Sequence, residues 1–320
     1  MNIAVVGATG LVGRMFIDIL QERDIPVSNL FPFSSENSSG EKIMFRGEEI
    51  EARELSEASF DEKFDFCMLA AGNEVSHKYA KTAVQNGAVV IDNSSAFRQH
   101  SDVPLVVPEV NPGELKNHKG IIANPNCCAA PLVVVLKPLM EAFGLKRVVV
   151  STYQSVSGAG KGGIADLESG NNQLFQYPIL NNLIPHIDVF DKNGDTGEET
   201  KIVEETRKIL GMADLSLSAT AVRVPVMHSH SLSVNVTTRL DFSIFDVRNI
   251  LKGSPGLKVV DAPEHSMYPM PLFATGQDLV QVGRLRRDTS LPECLNLWIV
   301  CDNIRKGAAL NAVQILEMLI

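Results

Sequence analysis

The feature that most constrains the fold is the N-terminal segment, where a buried strand leads into a glycine-rich turn and then a helix. Residues 3–6 form a short apolar run of the kind found in parallel strands covered on both faces. Gly7, Gly10 and Gly13 follow, and apolar residues recur at helical spacing over residues 11–20. Such a turn lets the backbone approach a pyrophosphate, which the free N–H groups of the helix bind. Because the spacing differs from G-x-G-x-x-G, a turn that serves only packing is the alternative.

Strand and helix signals alternate through the first third of the chain. Residues 66–70 and 88–92 have the apolar composition of buried strands, and residues 75–86 between them have helical periodicity. This alternation predicts an α/β fold with a Rossmann-type doubly wound parallel sheet. The acidic residues 48–65 and the polar residues 191–199 are predicted to be connections at the surface.

The pattern changes after residue 125, and we predict a second α+β domain with a mixed sheet. Its strands are expected at residues 145–152, 219–226, 230–238 and 295–302. The last helix, over residues 307–320, is expected to return to the first domain. The predicted domains are therefore residues 1–125 together with residues 304–320, and residues 126–303.

Composition and charge argue against several classes of protein. Hydrophobic residues make up 45% of the chain and charged residues 21%, which is typical of globular proteins. The formal net charge is 29 − 38 = −9, so we expect no nucleic-acid partner. The longest apolar run, residues 129–136, is shorter than the roughly 18 residues of a membrane span, so no membrane partner is expected. With no cleavable leader and no C-x-x-C pair, we expect a cytoplasmic protein with free thiols.

Two adjacent cysteines lie where a helix is predicted to begin. Residues 120–123 are predicted to form a strand and residues 128–140 a helix, which places Cys127 and Cys128 at the helix N-terminus. The positive end of the helix dipole lowers the pKa of a thiol there and favours a nucleophile. Composition does not choose between the two thiols. The other cysteines lie in strand-like runs and are expected to be buried and inert: Cys67, Cys294 and Cys301.

Two histidines, His228 and His230, are the candidates for a catalytic imidazole. In an extended segment they would lie on the same face, and the residues alone leave the choice open. No metal site is expected, because H-E-x-x-H is absent and adjacent cysteines rarely bind one ion together. A serine hydrolase is disfavoured as well, since the chain has no G-x-S-x-G motif.

Nine ordered motifs extend over nearly the whole chain, and together they resemble the bacterial-type aspartate-semialdehyde dehydrogenase family. The first five are VVGATGLVG (5–13), IDNSSAFR (91–98), PLVVPEVN (104–111), IANPNC (122–127) and STYQSVSGAG (151–160). The other four are EETKIVEETRKIL (198–210), VRVPVMHSHS (222–231), YPMP (268–271) and VGRLRRD (282–288). The resemblance implies a fold like that of glyceraldehyde-3-phosphate dehydrogenase, with a dinucleotide-binding first domain and a second domain for catalysis and dimerisation.

The resemblance also implies which residues carry the chemistry. Cys127 would be the nucleophile and His230 the acid/base, so His228 would be a bystander. Gln154 would orient the substrate beside the thiol. The chain departs from the family at two positions, each next to an implied catalytic residue: Cys128 stands where Ser or Thr is usual, and Ser229, before His230, stands where Gly is commoner. Neither departure removes a group that the chemistry needs.

Further residues are implied to bind the substrate and the cofactor. Arg223 would hold the α-carboxylate of the substrate, and Glu198 would hold its α-amino group. Three residues would surround the phosphate: Arg98, Asn126 and Lys201. The cofactor would contact Gly7, Thr9, Gly10, Leu11 and Val12, then Ser35, Asn37 and Ser38, and then Ser157, Gly158 and Asn303.

The implied reaction is the NADPH-dependent reductive dephosphorylation of L-aspartyl 4-phosphate to L-aspartate 4-semialdehyde, through a cysteine thioacyl intermediate. It would serve lysine, threonine, methionine and diaminopimelate biosynthesis, in a homodimer or homotetramer. N-acetyl-γ-glutamyl-phosphate reductase is the alternative enzyme, but its substrate has no free amine for Glu198 and Lys201 to recognise. A non-catalytic, dehydrogenase-like binding protein is the other alternative, and the presence of all the catalytic residues argues against it.

The loop after the second strand departs from the family's usual pattern. Members commonly place a serine, an arginine and a second serine there to bind the 2′-phosphate of NADP. Ser35 and Ser38 match this pattern, but Asn37 replaces the arginine and Glu36 precedes it. The missing charge-assisted hydrogen bond is typically worth about 1.5–3 kcal/mol. We therefore predict use of NADP with weakened discrimination, and appreciable activity with NAD.

Overall fold

The computed structural model describes all 320 residues, which divide into two compact units. The first unit comprises Met1–Pro125 and Ala308–Ile320, and the second comprises Asn126–Gly307. The chain therefore leaves the first unit once and returns to it with its last helix. No helix is both long enough and apolar enough to cross a membrane.

The secondary structure consists of fourteen strands and eight α-helices. In chain order the strands are β1 (Asn2–Val6), β2 (Asn29–Ser34), β3 (Lys42–Phe45), β4 (Glu48–Glu51), β5 (Arg53–Glu54), β6 (Phe66–Leu69), β7 (Val89–Asp92), β8 (Ile121–Ala123), β9 (Leu145–Gln154), β10 (Ser216–Arg223), β11 (His230–Thr238), β12 (Leu257–Val259), β13 (Val280–Arg287) and β14 (Cys294–Cys301). The helices are α1 (Leu11–Glu22), α2 (Asn73–Gln85), α3 (Ala129–Phe143), α4 (Gly160–Ser169), α5 (Gly197–Leu210), α6 (Ile244–Gly253), α7 (Pro271–Ala274) and α8 (Leu310–Glu317).

The first unit contains a six-stranded sheet in the order β5-β2-β1-β6-β7-β8, in which every pairing is parallel. The order reverses at β1, which pairs with β2 on one side and β6 on the other. In open sheets of this kind, ligands bind beyond the carboxyl ends of the strands at such a switch point. The core joins Ile3 and Val5 of β1 to Phe16 of α1 and Val313 of α8. The predicted Rossmann-type sheet is confirmed.

The second unit contains a six-stranded mixed sheet in the order β10-β9-β11-β14-β13-β12. The outer pairs β9–β10 and β12–β13 are parallel, and the remaining pairs are antiparallel. At the centre, Val234 of β11 lies opposite Val150 of β9 and Leu297 of β14. Helix α3 packs on α5, α6 and this sheet, and it is buried along most of its length. The predicted mixed sheet of the second domain is also confirmed.

Three local predictions are wrong, and each error has a physical cause. The strand predicted over residues 219–226 ends at Arg223, because Pro225 lacks the N–H group that would continue the ladder. The loop predicted over residues 191–199 ends earlier, because Thr196 caps helix α5 with its side chain.

The acidic residues 48–65 are not simply a solvated connection. They contain β4, β5 and a 3₁₀ turn at Glu57–Phe60. Phe60 and Phe64 of this segment are buried, with their ring centroids 6.3 Å apart in an edge-to-face arrangement. The segment was predicted to be a surface connection because its charged residues outnumber these two buried aromatic residues.

Candidate active site

A cavity of about 550 Å³ lies in the first unit at the carboxyl ends of β1, β2 and β6, with the glycine-rich turn in its wall. Gly7 has a φ of +83°, and a Cβ at this position would lie 2.7 Å from the Ala70 carbonyl oxygen. A Cβ at Gly13 would lie 2.2 Å from the Gly7 carbonyl oxygen, so the close packing of α1 requires glycine. Helix α1 begins after Gly10 without a side-chain cap, which leaves its N-terminus available to a phosphate.

The cavity includes some of the predicted cofactor residues and not others. Four of them line it: Gly7, Thr9, Gly10 and Ser35. Leu11 and Val12 are the first residues of α1 and do not line it. Asn37 and Ser38 lie in the 3₁₀ turn Glu36–Ser38, which is also outside the lining.

Lys78 of α2 is the one cation that lines this cavity, and sequence reasoning does not single it out. Its Nζ lies 4.9 Å from the ring centroid of Tyr79, another lining residue. The hydrogen bond with Tyr79 raises the pKa of Lys78, so the ammonium remains charged. The other charged lining residue is Glu74.

In the second unit, the candidate active site is built around Cys127, two residues before helix α3. Asn126 Oδ1 accepts hydrogen bonds from the N–H groups of Cys128 (2.8 Å) and Ala129 (3.2 Å). These bonds fix the turn that leaves Cys127 at the positive end of the helix dipole. Gly307 contacts the same residue, since a Cβ there would lie 3.0 Å from Cys127 Cβ.

A buried network of polar side chains surrounds Asn126. Its N–H donates to Glu205 Oε2 (2.6 Å), and its Nδ2 donates to Glu198 Oε1 (2.9 Å). Glu198 Oε1 also accepts from Gln154 Nε2 (3.0 Å), which lies 3.2 Å from Thr152 Oγ1. The structure therefore brings together three residues predicted from sequence, in a network that restricts their side-chain motion.

His230 is fully buried at the start of β11, whereas His228 is half exposed in the preceding turn. The Sγ atoms of Cys127 and Cys128 and a ring nitrogen of His230 all lie within 4.8 Å of one another. The Ser155 N–H donates to His230 Nδ1 (3.0 Å), while His230 Nε2 has no hydrogen-bond partner. Because Nδ1 accepts this hydrogen bond, the proton of the neutral ring lies on Nε2. Nε2 can therefore donate a hydrogen bond to a bound group.

Arg223 is buried at the end of β10. Its Nη1 donates to the Ser155 carbonyl oxygen (2.7 Å), and its Nε has no partner. A Cβ at Gly158 would lie 2.9 Å from Arg223 Nη1 and 3.1 Å from His230 Nε2. The absence of a side chain at Gly158 thus allows the guanidinium and the imidazole to share one pocket.

The two adjacent thiols differ in acidity. Hydrogen bonding from Cys128, with the nearby His230 and Arg223, holds the pKa of Cys127 well below its ordinary value, although burial opposes this. Burial, followed by the hydrogen bond and negative charge of Cys127 and the charge of Glu198, holds the pKa of Cys128 well above its ordinary value. Cys127 is therefore the more acidic of the two thiols, which favours it as the nucleophile.

Lys201 of α5 lies beside Glu198 but forms its closer ion pair with Asp188. Its Nζ is 2.6 Å from Asp188 Oδ2 and 3.9 Å from Glu198 Oε2. The hydrogen bond from Lys201 lowers the pKa of Asp188. The ammonium of Lys201 is thus held near the network by two carboxylates.

Asn303 accepts hydrogen bonds from one backbone N–H group and two hydroxyl groups. Its Oδ1 accepts from the Ser229 N–H (2.9 Å), from Ser155 Oγ (3.1 Å) and from Ser157 Oγ (3.3 Å). Ser229 has a φ of +71°, in the left-handed region that favours glycine. The network links Asn303 and Ser157 to His230 through Ser155.

Arg98, the remaining predicted phosphate residue, belongs to the first unit. Its Nε donates to the Asn124 carbonyl oxygen (2.8 Å), and its Nη2 donates to the Asn93 carbonyl oxygen (2.9 Å). These bonds hold the buried guanidinium in the loop that follows β7.

Sequence reasoning missed Glu205 and Ser155. Glu205 is seven residues after Glu198 on α5, a spacing that places both on one helix face and was the available signal. Ser155 follows Gln154 directly, but its contact with His230 joins segments 75 residues apart. No local sequence pattern predicts a contact between residues so far apart in the chain.

Comparisons with known proteins agree with this architecture. Residues 2–118 match the family model described as semialdehyde dehydrogenase, NAD binding domain. Residues 136–306 match the family model described as semialdehyde dehydrogenase, dimerisation domain. The chain therefore has the NAD binding domain and the dimerisation domain of the class of semialdehyde dehydrogenases.

Full-length relatives carry a more specific name. Aspartate-semialdehyde dehydrogenases from Aquifex aeolicus and Campylobacter jejuni are 46% and 47% identical to the chain, covering 100% and 99% of it and 98% and 96% of themselves. The crystal structure of aspartate semialdehyde dehydrogenase II from Vibrio cholerae is similar with a TM-score of 0.96 at 42% identity, covering 99% of this chain and 98% of that one. The chain belongs to the aspartate-semialdehyde dehydrogenase family. The family predicted from the sequence motifs is confirmed, and the chain is an oxidoreductase of amino-acid biosynthesis.

A further structure bears on the cofactor. Aspartate semialdehyde dehydrogenase from Candida albicans, described with NADP, has a TM-score of 0.78 at 27% identity, covering 99% of this chain and 98% of that one. The Vibrio cholerae enzyme II is also described in complex with ASA, at a TM-score of 0.96 and 42% identity, covering 99% of this chain and 97% of that one.

Proposed function

We propose that the chain reduces L-aspartyl 4-phosphate to L-aspartate 4-semialdehyde with NADPH, releasing phosphate. One observation carries the proposal: two buried nitrogen donors, Arg223 Nε and His230 Nε2, have no protein partner and lie beside the Cys127 thiolate. Buried donors without partners are costly, and an anionic substrate would satisfy them.

The Cys127 thiolate attacks the acyl carbon of the substrate. A C–S bond forms, the C–O bond to phosphate breaks, and a thioester remains on Cys127. Covalent catalysis separates the displacement of phosphate from the reduction. When the thioester has been reduced, the C–S bond breaks, the semialdehyde leaves, and the thiolate is restored.

His230 transfers the proton and stabilises the negative charge that develops on the substrate. Its Nε2 donates toward the substrate oxygen and the departing phosphate. When the ring is an imidazolium, Nδ1 needs an acceptor, and Ser155 Oγ lies 3.0 Å from it. The Ser155 N–H, which donates to Nδ1, and the Ser155 hydroxyl together fix the orientation of the imidazole ring.

Recognition of the substrate's charged groups uses the remaining side chains. Arg223 binds the α-carboxylate through Nε and its second guanidinium nitrogen, while Nη1 stays on Ser155. Glu198, held by Gln154, receives the α-amino group. The phosphate is received by three residues proposed from sequence: Arg98, Asn126 and Lys201.

The first unit fits a dinucleotide, because its glycine turn has positions that a Cβ would fill and its helix N-terminus is uncapped. When bound there, NADPH supplies the hydride that reduces the thioester. Gly7, Thr9, Gly10 and Ser35 would contact it in the cavity, and Leu11 and Val12 would present backbone N–H groups. Ser157 and Gly158 are further cofactor-binding residues that we propose from the sequence, with Asn303 positioning Ser157.

The protein acts on a small molecule and forms an oligomer, in agreement with the matched dimerisation domain. We infer a homodimer or homotetramer located in the cytoplasm. Neither a nucleic acid nor a membrane is required by the proposed reaction.

The test is the reverse reaction, measured as phosphate-dependent reduction of NADP with aspartate semialdehyde. We expect turnover with this aldehyde, and little with N-acetyl-glutamate semialdehyde, which lacks the free amine. Equal rates with both aldehydes would contradict the proposed role of Glu198. Turnover that persists without phosphate would contradict the phosphorylating mechanism.

A further inference from the structure

Lys201 lies between two carboxylates, and the proposed reaction gives a role to only one of them. Its Nζ is 2.6 Å from Asp188 Oδ2 and 3.9 Å from Glu198 Oε2. The Glu198 side chain, assigned above to the α-amino group of the substrate, is 8% exposed, whereas that of Asp188 is 38% exposed. The cation therefore pairs with the more exposed carboxylate and stays apart from the buried one.

The segment that carries Asp188 is attached to two elements of the site. The Ile184 N–H donates to the Arg223 carbonyl oxygen (3.0 Å), and the Arg223 N–H donates to the Ile184 carbonyl oxygen (2.8 Å). After Asp188, the Val189 carbonyl oxygen accepts from the N–H of Gly197 (2.8 Å), the first residue of α5. Asp188 is therefore fixed between strand β10 and helix α5.

The local backbone directs the Asp188 carboxylate toward α5. Asp188 has a φ of +70°, in the left-handed region that aspartate and asparagine adopt more readily than most residues. Its Oδ1 accepts from the Val189 N–H (2.9 Å), which leaves Oδ2 for Lys201. A Cβ at Gly197 would lie 2.7 Å from Asp188 Oδ2, so the carboxylate occupies space that a side chain there would fill.

The ion pair with Asp188 limits what Lys201 can do to Glu198. A charged N–H···O bond is about 2.7–2.9 Å long, so a movement of about 1 Å would bring the ammonium onto the Glu198 carboxylate. Glu198 would then be neutralised by a cation of the protein itself, and the ammonium of the substrate would have to compete with that cation.

We propose that Asp188 is a positioning residue for substrate specificity: by holding Lys201, it keeps Glu198 available for the α-amino group of the substrate. This inference rests on the role of Glu198 in the proposed function. Asp188 contacts neither substrate nor cofactor and acts only through Lys201. The assignment of Lys201 to the phosphate is compatible with this, because an ammonium has three donors.

The test compares aspartate semialdehyde with succinate semialdehyde, which lacks only the amino group. The ratio of their kcat/KM values, measured with phosphate and NADP, reports recognition of the amine. Asp188→Asn keeps the shape of the side chain and removes its charge, and the ratio should fall about threefold to fivefold, as for one partly exposed ion pair. Asp195→Asn, exposed in the same segment, should leave the ratio unchanged. An unchanged ratio in Asp188→Asn would overturn the proposal.

A double variant separates this role from a merely structural one. In a Lys201→Met background no ammonium competes for Glu198, so Asp188→Asn should have no further effect on the ratio. If Asp188→Asn lowers the ratio equally with and without Lys201, Asp188 acts by another route and the proposal fails. A crystal structure of Asp188→Asn should show Lys201 Nζ within hydrogen-bond distance of the Glu198 carboxylate.

Gly197→Ala is the second variant, for use if Asp188→Asn does not fold. Its Cβ would displace the Asp188 carboxylate, and the ratio should fall as it does in Asp188→Asn. Gly253→Ala, whose Cβ would meet no atom within 4 Å, is the control. Equal kcat/KM for both aldehydes in the wild-type enzyme would contradict the role of Glu198 and this inference with it. Strong discrimination that all variants share would contradict only the role of Asp188.

Discussion

At the scale of single residues, the environments of Cys127 and Cys128 differ although the two are neighbours in the chain. Cys127 is partly exposed and faces His230 and Arg223, whereas Cys128 is fully buried. The hydrogen bond between the thiols makes the difference larger, because it stabilises a thiolate on Cys127. Sequence composition left this choice open, since both residues lie at the same helix end.

We expect Cys127→Ala to abolish turnover and Cys128→Ala to retain most of it near neutral pH. The reason is that only Cys127 is placed to become the thioester. Steady-state kcat with aspartate semialdehyde, NADP and phosphate measures both variants. Comparable losses in the two variants would show that the nucleophile has been assigned wrongly.

The lowered pKa of Cys127 predicts how its reactivity depends on pH. A thiol reacts with iodoacetamide as the thiolate, so Cys127 should remain reactive well below pH 9.0, the ordinary pKa of a cysteine. Reactivity should fall only as pH drops through the lowered pKa. Cys128→Ala, which removes the hydrogen bond to the thiolate, should move this fall to higher pH. Rates are followed residue by residue with mass spectrometry.

Cys67 is the internal control for this experiment. Burial, with a smaller effect of Asp92, raises the pKa of Cys67 to about 12, so it should not react in the same pH range. If Cys127 and Cys67 react at similar rates at neutral pH, the assignment of the thiolate fails.

Gly158 should tolerate no side chain. In Gly158→Ala the new Cβ would lie 2.9 Å from Arg223 Nη1 and 3.1 Å from His230 Nε2, and both groups are held by Ser155. Displacing them should lower kcat/KM about 10²-fold, the cost typical of a misplacement near 1 Å. The matched control is Gly162→Ala, whose Cβ would meet Leu174 at an ordinary 3.4 Å. Similar kinetics in the two variants would count against a crowded pocket.

At the scale of secondary-structure elements, helix α5 determines the position of the acidic part of the site. It carries Glu198 and Glu205 on one face, and the side chains of both accept hydrogen bonds from Asn126. Its N-terminus is fixed by a capping box, in which Thr196 Oγ1 accepts from the Glu199 N–H (3.3 Å) and Glu199 Oε2 accepts from the Thr196 N–H (2.7 Å). The first turn of α5 is therefore anchored where the substrate amine is expected.

Removing this cap should lower stability. Thr196→Ala is expected to reduce the free energy of unfolding by about 1 kcal/mol, whereas Thr196→Ser, which keeps the hydroxyl, should change it much less. Urea denaturation followed by circular dichroism compares the two variants. An alanine variant as stable as the wild type would show that Glu199 alone, through its bond to the Ala221 N–H (2.8 Å), holds the helix end.

Much of the element order was predictable, because buried strands and amphipathic helices of the first unit have clear periodicities. The prediction failed at element ends that depend on a single group, such as the cap at Thr196 and the missing N–H of Pro225. In the site, motif resemblance supplied Gln154 and Glu198. It did not supply Glu205, because the partner of Glu205 is 79 residues away in the chain.

At the scale of the whole molecule, the thiol chemistry and the nucleotide cavity belong to different units. Cys127, His230 and Arg223 all lie within Asn126–Gly307, whereas the cavity is lined only by residues of Met1–Pro125. The choice between NADP and NAD can therefore be changed in the first unit without altering the residues that bind the substrate.

The preference for NADP over NAD should be moderate. Asn37 and Ser38 do not line the cavity, and no arginine stands in this loop, so we expect less than about 10³-fold preference for NADP in kcat/KM. Lys78 is the lining cation, and Lys78→Ala should lower kcat/KM for NADP roughly tenfold with little effect on NAD. Lys81→Ala, on the same helix but outside the lining, is the control. A stricter preference, or equal effects on both cofactors, would contradict this account.

The return of the chain to the first unit has a consequence for synthesis on the ribosome. Leu310, Val313 and Leu316 of α8 belong to the same core as Ile3 and Phe16, and they are translated after the whole of the second unit. The second unit is continuous in the chain and needs no segment after Gly307 to complete its own sheet and core. The first unit, although it emerges first, has an incomplete core until α8 has been synthesised. We therefore expect the order of folding to be the reverse of the order of emergence.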